Sequence, residues 1–218
     1  MADQYFQKST TATMQAASSD AGTLERDDTL DRATLRFLSV PAMTLLTAIA
    51  AQIAIPTEPF GVPISLQSLA VLLTAMMLGP KLGAMSMLLY LGTGAIGVGV
   101  LAEGESGWLV MAGQTGGYLL GFLVCQPFAH WIIRRKDKSI RGWLAIFTAG
   151  IVIHAIIFAL GVPWLWFIHN ADSVSDPMSW STAIHYGMVV FLPGMVLKSG
   201  IAAGIGAWAL PSVARRLW

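Results

Sequence analysis

The sequence predicts an all-α integral membrane protein of six transmembrane helices with both termini cytoplasmic. Three observations carry this expectation. Of 218 residues, 55% are apolar and 11% charged, where soluble domains average about 25% charged. Ten of the 25 charges fall within residues 1–36, which leaves residues 37–218 too few to cover a water-facing surface. The apolar runs of that remainder have the length that crosses a bilayer, about 17–25 residues. A net charge of +1 offers no general attraction to nucleic acid. The single cysteine, Cys125, cannot form an internal disulfide.

In chain order, residues 1–36 read as a polar, disordered cytoplasmic tail, with folding on a partner as the alternative. They lack the basic-then-apolar order of a cleavable signal peptide. Residues 37–218 form the membrane domain, with spans expected at 37–55, 60–79, 82–101, 108–133, 143–168 and 183–210. The second is expected to be short or tilted, because Phe60-Gly61-Val62-Pro63 reads as loop. No segment alternates apolar and polar residues as a transmembrane barrel strand does. Lys and Arg set the orientation. With the N-terminus inside, the segments 1–36, Gly79–Lys81, Arg134–Arg141 and Arg215-Arg216 hold 12 of the 13 basic residues. The outer connections carry only Glu58, Glu103, Glu105, Asp172 and Asp176. A bacterial-type inner membrane is the expected location.

Lys198, the thirteenth basic residue, reads as mid-helix, where a lysine costs about 2.5–3.5 kcal/mol to insert. Snorkelling serves lysines near helix ends, and no Asp or Glu lies within the six spans. The anion is therefore expected from a ligand; a structural or neutral lysine is the alternative. Pro193-Gly194, just before it, suggests an irregular backbone lining a cavity or a packing kink. Gln114-Thr115-Gly116-Gly117-Tyr118 joins hydrogen-bonding side chains to glycines that admit a ligand or a neighbouring helix. Gln67 and Gln52 are uncharged donor–acceptors with the same two readings. The segment 56–63, with three prolines, suits a lid or a connector. Gly92–Gly97 has the GxGxxG spacing without the strand that gives it meaning. Gly104-Glu105-Ser106-Gly107 matches the GxSG of intramembrane serine proteases, with His154 or His185 as base. The four histidines show no metal spacing.

Several blocks together resemble a known family. Gln52-Ile53-Ala54-Ile55-Pro56 followed by Val62–Leu73, then Leu78–Ala84, Gly113–Phe122 and Leu192–Lys198, are similar in order to the biotin-specific S component of energy-coupling factor transporters. The resemblance implies six helices, cytoplasmic termini and a biotin pocket near the outer face, closed by the loop between the first two helices. Lys198, Tyr118, Gln67, Gln114, Thr115, Gly116, Gly117, Phe60, Trp108 and Met195 are the candidate ligand-binding residues, with Phe60, Trp108 and Tyr118 as walls. Charge favours the biotin carboxylate as the partner of Lys198.

Met195 departs from the family pattern, which has Asp there, and removes an acceptor for a ureido N–H. Gln114, where the family has Pro, offers one in its place. Gly99 replaces another family proline. No cofactor is expected in this chain. Without a Walker motif, any ATP is hydrolysed by partners, which the resemblance gives as a membrane coupling protein and two ATPase subunits; some members work without a dedicated module. A homo-oligomer is compatible with either arrangement. An S component for another carboxylated vitamin, and an intramembrane serine protease, are the competing functions.

Overall fold

A computed structural model of the chain describes residues 32–57, 62–135, 137, 139–172 and 177–217. The chain forms two compact units, 1–38 and 39–218. Of the first, residues 32–38 are described and helical. The expected tail otherwise lies outside the described residues, as do Glu58 and Phe60.

Helix α1 spans Arg32–Gln52. Beyond Ser39 its buried residues Val40, Thr47, Ala48 and Ala51 recur at helical spacing, while Leu45 and Ile49 are more than half exposed. That outer face is as apolar as the inner one, as contact with lipid requires. Strands β1 (Ala54–Ile55) and β2 (Ile64–Ser65) pair antiparallel, with Ala54 opposite Ser65 and Ile55 opposite Ile64. This short ladder closes the proline-rich loop at its base, and Thr57 Oγ1 donates to the Val62 carbonyl inside it.

Helix α2 spans Gln67–Ala95, so the expected span at 60–79 begins seven residues late, after the strand. It is not one straight rod. Gln67 and Tyr90 would stand about 35 Å apart on a continuous helix, yet Gln67 Nε2 donates to Tyr90 Oη at 2.7 Å. The chain doubles back at Gly79, whose φ of 72° and ψ of −173° belong to a region that is essentially glycine's alone. Pro80 then opens the second limb, at a position where its missing N–H has no intrahelical partner to lose. The first limb, 67–78, is about 18 Å long and short of the hydrocarbon thickness, in line with the short second helix expected.

A side chain at position 79 would hold the turn in a conformation costing about 1–3 kcal/mol. Gly79→Ala is therefore expected to lower the melting temperature of the purified protein by roughly 3–10 °C. An unchanged melting curve in detergent would show that the reversal does not depend on glycine.

The expected span 108–133 is interrupted. Helix α3 (Trp108–Ala112) stops at the extended Gly113, and α4 (Gly116–Val124) runs on through Cys125 into α5 (Gln126–Ile133). The Gly113 carbonyl released by this break accepts from Trp164 Nε1 at 2.9 Å. Helix α6 spans Trp143–Asp172.

The last expected span, 183–210, is also broken. Helix α7 (Trp180–Gly187) ends before Met188 (φ −139°, ψ −54°), a 3-10 turn covers Val189–Phe191, and α8 runs Leu192–Leu217. Pro193 is thus the second residue of α8 and starts a helix instead of kinking one. Lys198 lies six residues from the start of α8, not at the middle of a continuous span.

Among the described residues, five helical stretches are long and apolar enough to cross a membrane: Arg32–Gln52, Gln67–Ala95, Gly116–Ile133, Trp143–Ala171 and Trp180–Val213. The second of these is the pair of antiparallel limbs. Their crossings are made by small residues. Gly161 of α6 meets the Tyr118 ring of α4, and Gly150 of α6 receives the Ser199 side chain of α8.

Candidate functional site

Three breaks in regular structure converge on one cavity of about 230 Å³: the β2–α2 junction, the gap before α4 and the gap before α8. A helix cannot offer its own backbone groups to a ligand, but a broken one inside a membrane protein can. The cavity is somewhat smaller than the roughly 300–1,000 Å³ of drug-sized sites, which suits a compact metabolite.

Lys198 of α8 reaches across to the β2–α2 junction. Its Nζ donates to Ser65 O at 2.6 Å and to Ser68 Oγ at 3.0 Å. Two of the three ammonium hydrogens are thus directed at neutral oxygens. No carboxylate among the described residues neutralises the charge. Met195, one helical turn earlier, lines the same cavity.

Gln67 lines it from the first turn of α2 and is committed through Nε2 to Tyr90. Tyr90 Oη in turn donates to Val100 O at 2.9 Å, and Gln52 Nε2 donates to Leu101 O at 3.1 Å. These bonds hold the segment that presents Leu101, Glu103 and Glu105 to the cavity. Glu103 has φ 60°, in the left-handed region that few non-glycine residues adopt.

Thr115 and Tyr118 line the cavity from the start of α4. The Tyr118 hydroxyl donates to Gly187 O at 2.8 Å, so Tyr118 offers its ring to the cavity while its polar end ties α4 to α7. Gly116 and Gly117 lie outside the lining. A Cβ on either would run into Trp164 of α6, so these glycines permit close helix packing, the second of the two readings open in the sequence. Gln114 also stands outside the lining. Trp108 is 70% exposed, pointing away from the bundle, and is no wall of this cavity. Phe60 lies outside the described residues.

The walls come instead from residues the sequence did not single out. Phe122 of α4, Ile157 and Phe158 of α6 and Phe191 of the 3-10 turn line the cavity, with the Phe158 and Phe191 rings 6.2 Å apart. His154, 3% exposed, lines it one turn before Phe158. Within an apolar span, no pattern separates an aromatic facing a pocket from one facing lipid. A histidine in such a span was the one available signal, because a polar ring there needs a partner.

The arrangement can hold a small, partly apolar molecule that carries an acceptor or anion for Lys198.

Comparisons with known proteins agree with this geometry. The BioY family model matches residues 21–215. Biotin transporter BioY2 of Lactococcus lactis subsp. cremoris is 36% identical over 163 residues, which are 72% of this chain and 84% of that protein. Biotin transporter BioY of Rhodobacter capsulatus is 36% identical over 178 residues, 77% of this chain and 90% of that protein. Among solved structures, the S-component for biotin from an ECF-type ABC transporter superposes with a TM-score of 0.74 at 23% identity, over 84% of this chain and 94% of that one.

Proposed function

The chain belongs to the BioY family, and from that premise we propose that its cavity captures biotin for uptake, with Lys198 meeting the carboxylate. The chain is a transport subunit and not an enzyme, which retires the protease reading of Ser106. The observation that carries the biotin site is Lys198, a cation that pairs with no carboxylate among the described residues, in a cavity walled by Tyr118, Phe122, Phe158 and Phe191. Biotin supplies the complement: an anion at one end, an apolar thioether ring, and a ureido group for the neutral polar residues. Gln67, Thr115 and Met195 complete the lining.

The chain crosses the inner membrane six times, the two limbs of α2 counting separately, with both termini cytoplasmic as the basic residues favour. Residues 1–36 lie on the cytoplasmic side, the last five of them already part of α1. A membrane coupling protein and two ATPase subunits supply the energy, since biotin capture itself consumes none. The chain carries no cofactor of its own.

The test is equilibrium binding of labelled biotin to the purified chain in detergent, competed with a panel of other carboxylated vitamins. Biotin is expected to compete best. Tighter competition by another vitamin would keep the S-component architecture and overturn the ligand, the outcome that Met195 would then explain.

A further inference from the structure

We propose that His154 accepts a ureido N–H of the ligand, in the role left vacant by Met195; the inference rests on the biotin reading above. It follows from where the donors around the cavity are spent and from one buried acceptor left without a partner; the Glu103 and Glu105 carboxylates and Gln67 also line the cavity, from other segments. Lys198 Nζ gives two hydrogens to Ser65 and Ser68, Gln67 Nε2 gives one to Tyr90, and the Tyr118 hydroxyl gives its own to Gly187. His154 Nδ1 stands 2.9 Å from Gly150 O. A carbonyl only accepts, so Nδ1 carries the proton, and in the neutral ring Nε2 holds a lone pair.

That Nε2 is buried and has no hydrogen-bond partner among the described residues. Buried polar atoms are nearly always satisfied. Gln126 Oε1 and Ser199 Oγ share this condition, but each is pressed against a glycine, Gly83 or Gly150, at a helix crossing, and neither residue lines the cavity. His154 does line it. The bond from Nδ1 back to its own helix fixes the ring, so Nε2 keeps one orientation.

A neutral Nε2 cannot pair with a carboxylate, since both accept. It selects a ligand that brings a donor into an otherwise apolar wall, and biotin brings two, on the ureido nitrogens. The thioether of Met195, which lines the same cavity, accepts only weakly. His154 therefore reads for the hydrogen-bonding end of the ligand, and Lys198 for its charge.

The test measures binding of biotin, and of its two mono-N-methylated ureido analogues, to the purified full chain. The variants are His154→Leu, His154→Gln and His154→Leu combined with Met195→Asp. Wild type is expected to discriminate against one analogue by roughly five- to a hundredfold. His154→Leu should weaken biotin by a similar factor and abolish that discrimination, because the methyl then replaces no bond. His154→Gln, which keeps an acceptor, and the added Met195→Asp should each restore part of it.

Equal binding of biotin by wild type and His154→Leu would overturn the inference. So would a uniform loss for biotin and both analogues, the mark of a structural role. If His154→Leu does not fold, the wild type decides: equal binding of biotin and both analogues rejects His154 as the acceptor. Absence of biotin binding by folded wild type is a different result, which removes the functional reading and this inference with it.

Discussion

Replacing Lys198 with Ala is expected to weaken biotin binding by roughly a hundredfold or more, and Lys198→Met by a similar factor. Removing one partner of a desolvated ion pair costs about 3–5 kcal/mol, and each 1.4 kcal/mol is tenfold in Kd. Lys198 is half-buried, so the lower end applies. Methionine keeps the length and apolar bulk of the side chain, so agreement between the two variants would assign the loss to the charge. Lys198→Arg should lie between, since it preserves the cation but cannot reproduce a single Nζ bonded to both Ser65 O and Ser68 Oγ. Titration calorimetry on variants that elute as wild type does in size exclusion decides the matter. Retained affinity in Lys198→Met would move the anion site to another residue.

The second large effect belongs to Gly161. A Cβ there would collide with the Tyr118 ring, which is 7% exposed and anchored at its far end to Gly187. The ring has nowhere to go except into the cavity. Overpacking of this kind costs about 1–3 kcal/mol, so Gly161→Ala should lower the melting temperature by roughly 3–10 °C and reduce biotin affinity at the same time. Because the two residues touch, their substitutions should not add. Gly161→Ala in a Tyr118→Leu background is expected to cost much less than in wild type. A full, additive loss in the double variant would show that the crossing is tight for a reason other than the ring.

The sequence was informative where a residue was out of place for its surroundings. Lys198 stood out because a charge in an apolar run is costly, and the Gly79-Pro80 pair because it interrupts one. Both matter in the structure: one lines the cavity, the other reverses the chain. The sequence was silent wherever apolar residues must be told apart from one another. In a soluble helix the polar face marks the outside; here lipid-facing Leu45 and buried Leu72 are chemically alike. Phe158 and Phe191 were therefore indistinguishable from Trp108, and only the fold shows that the first two line the cavity while the last faces outward.

The breaks at Gly113 and Met188 were hidden for a related reason. Continuous hydropathy measures length and not regularity, so two interrupted segments read as long spans. Gly116 and Gly117 were legible as sites of close approach, but what approaches is Trp164. His154 carried a signal of the same kind as Lys198, a polar group inside an apolar span. Its sequence context suggests only a base or a metal ligand, and a role as lone acceptor becomes visible with the Gly150 bond.

The bond from Lys198 to the Ser65 carbonyl has a kinetic consequence. Ser65 belongs to the β1–β2 ladder, so the residue proposed to attract the ligand also ties that ladder to α8. Depth of the binding well and height of the exit barrier are then set partly by one side chain. Substitutions at position 198 should shorten dwell time as well as lower occupancy, and a carrier built this way cannot tune retention without also changing capture.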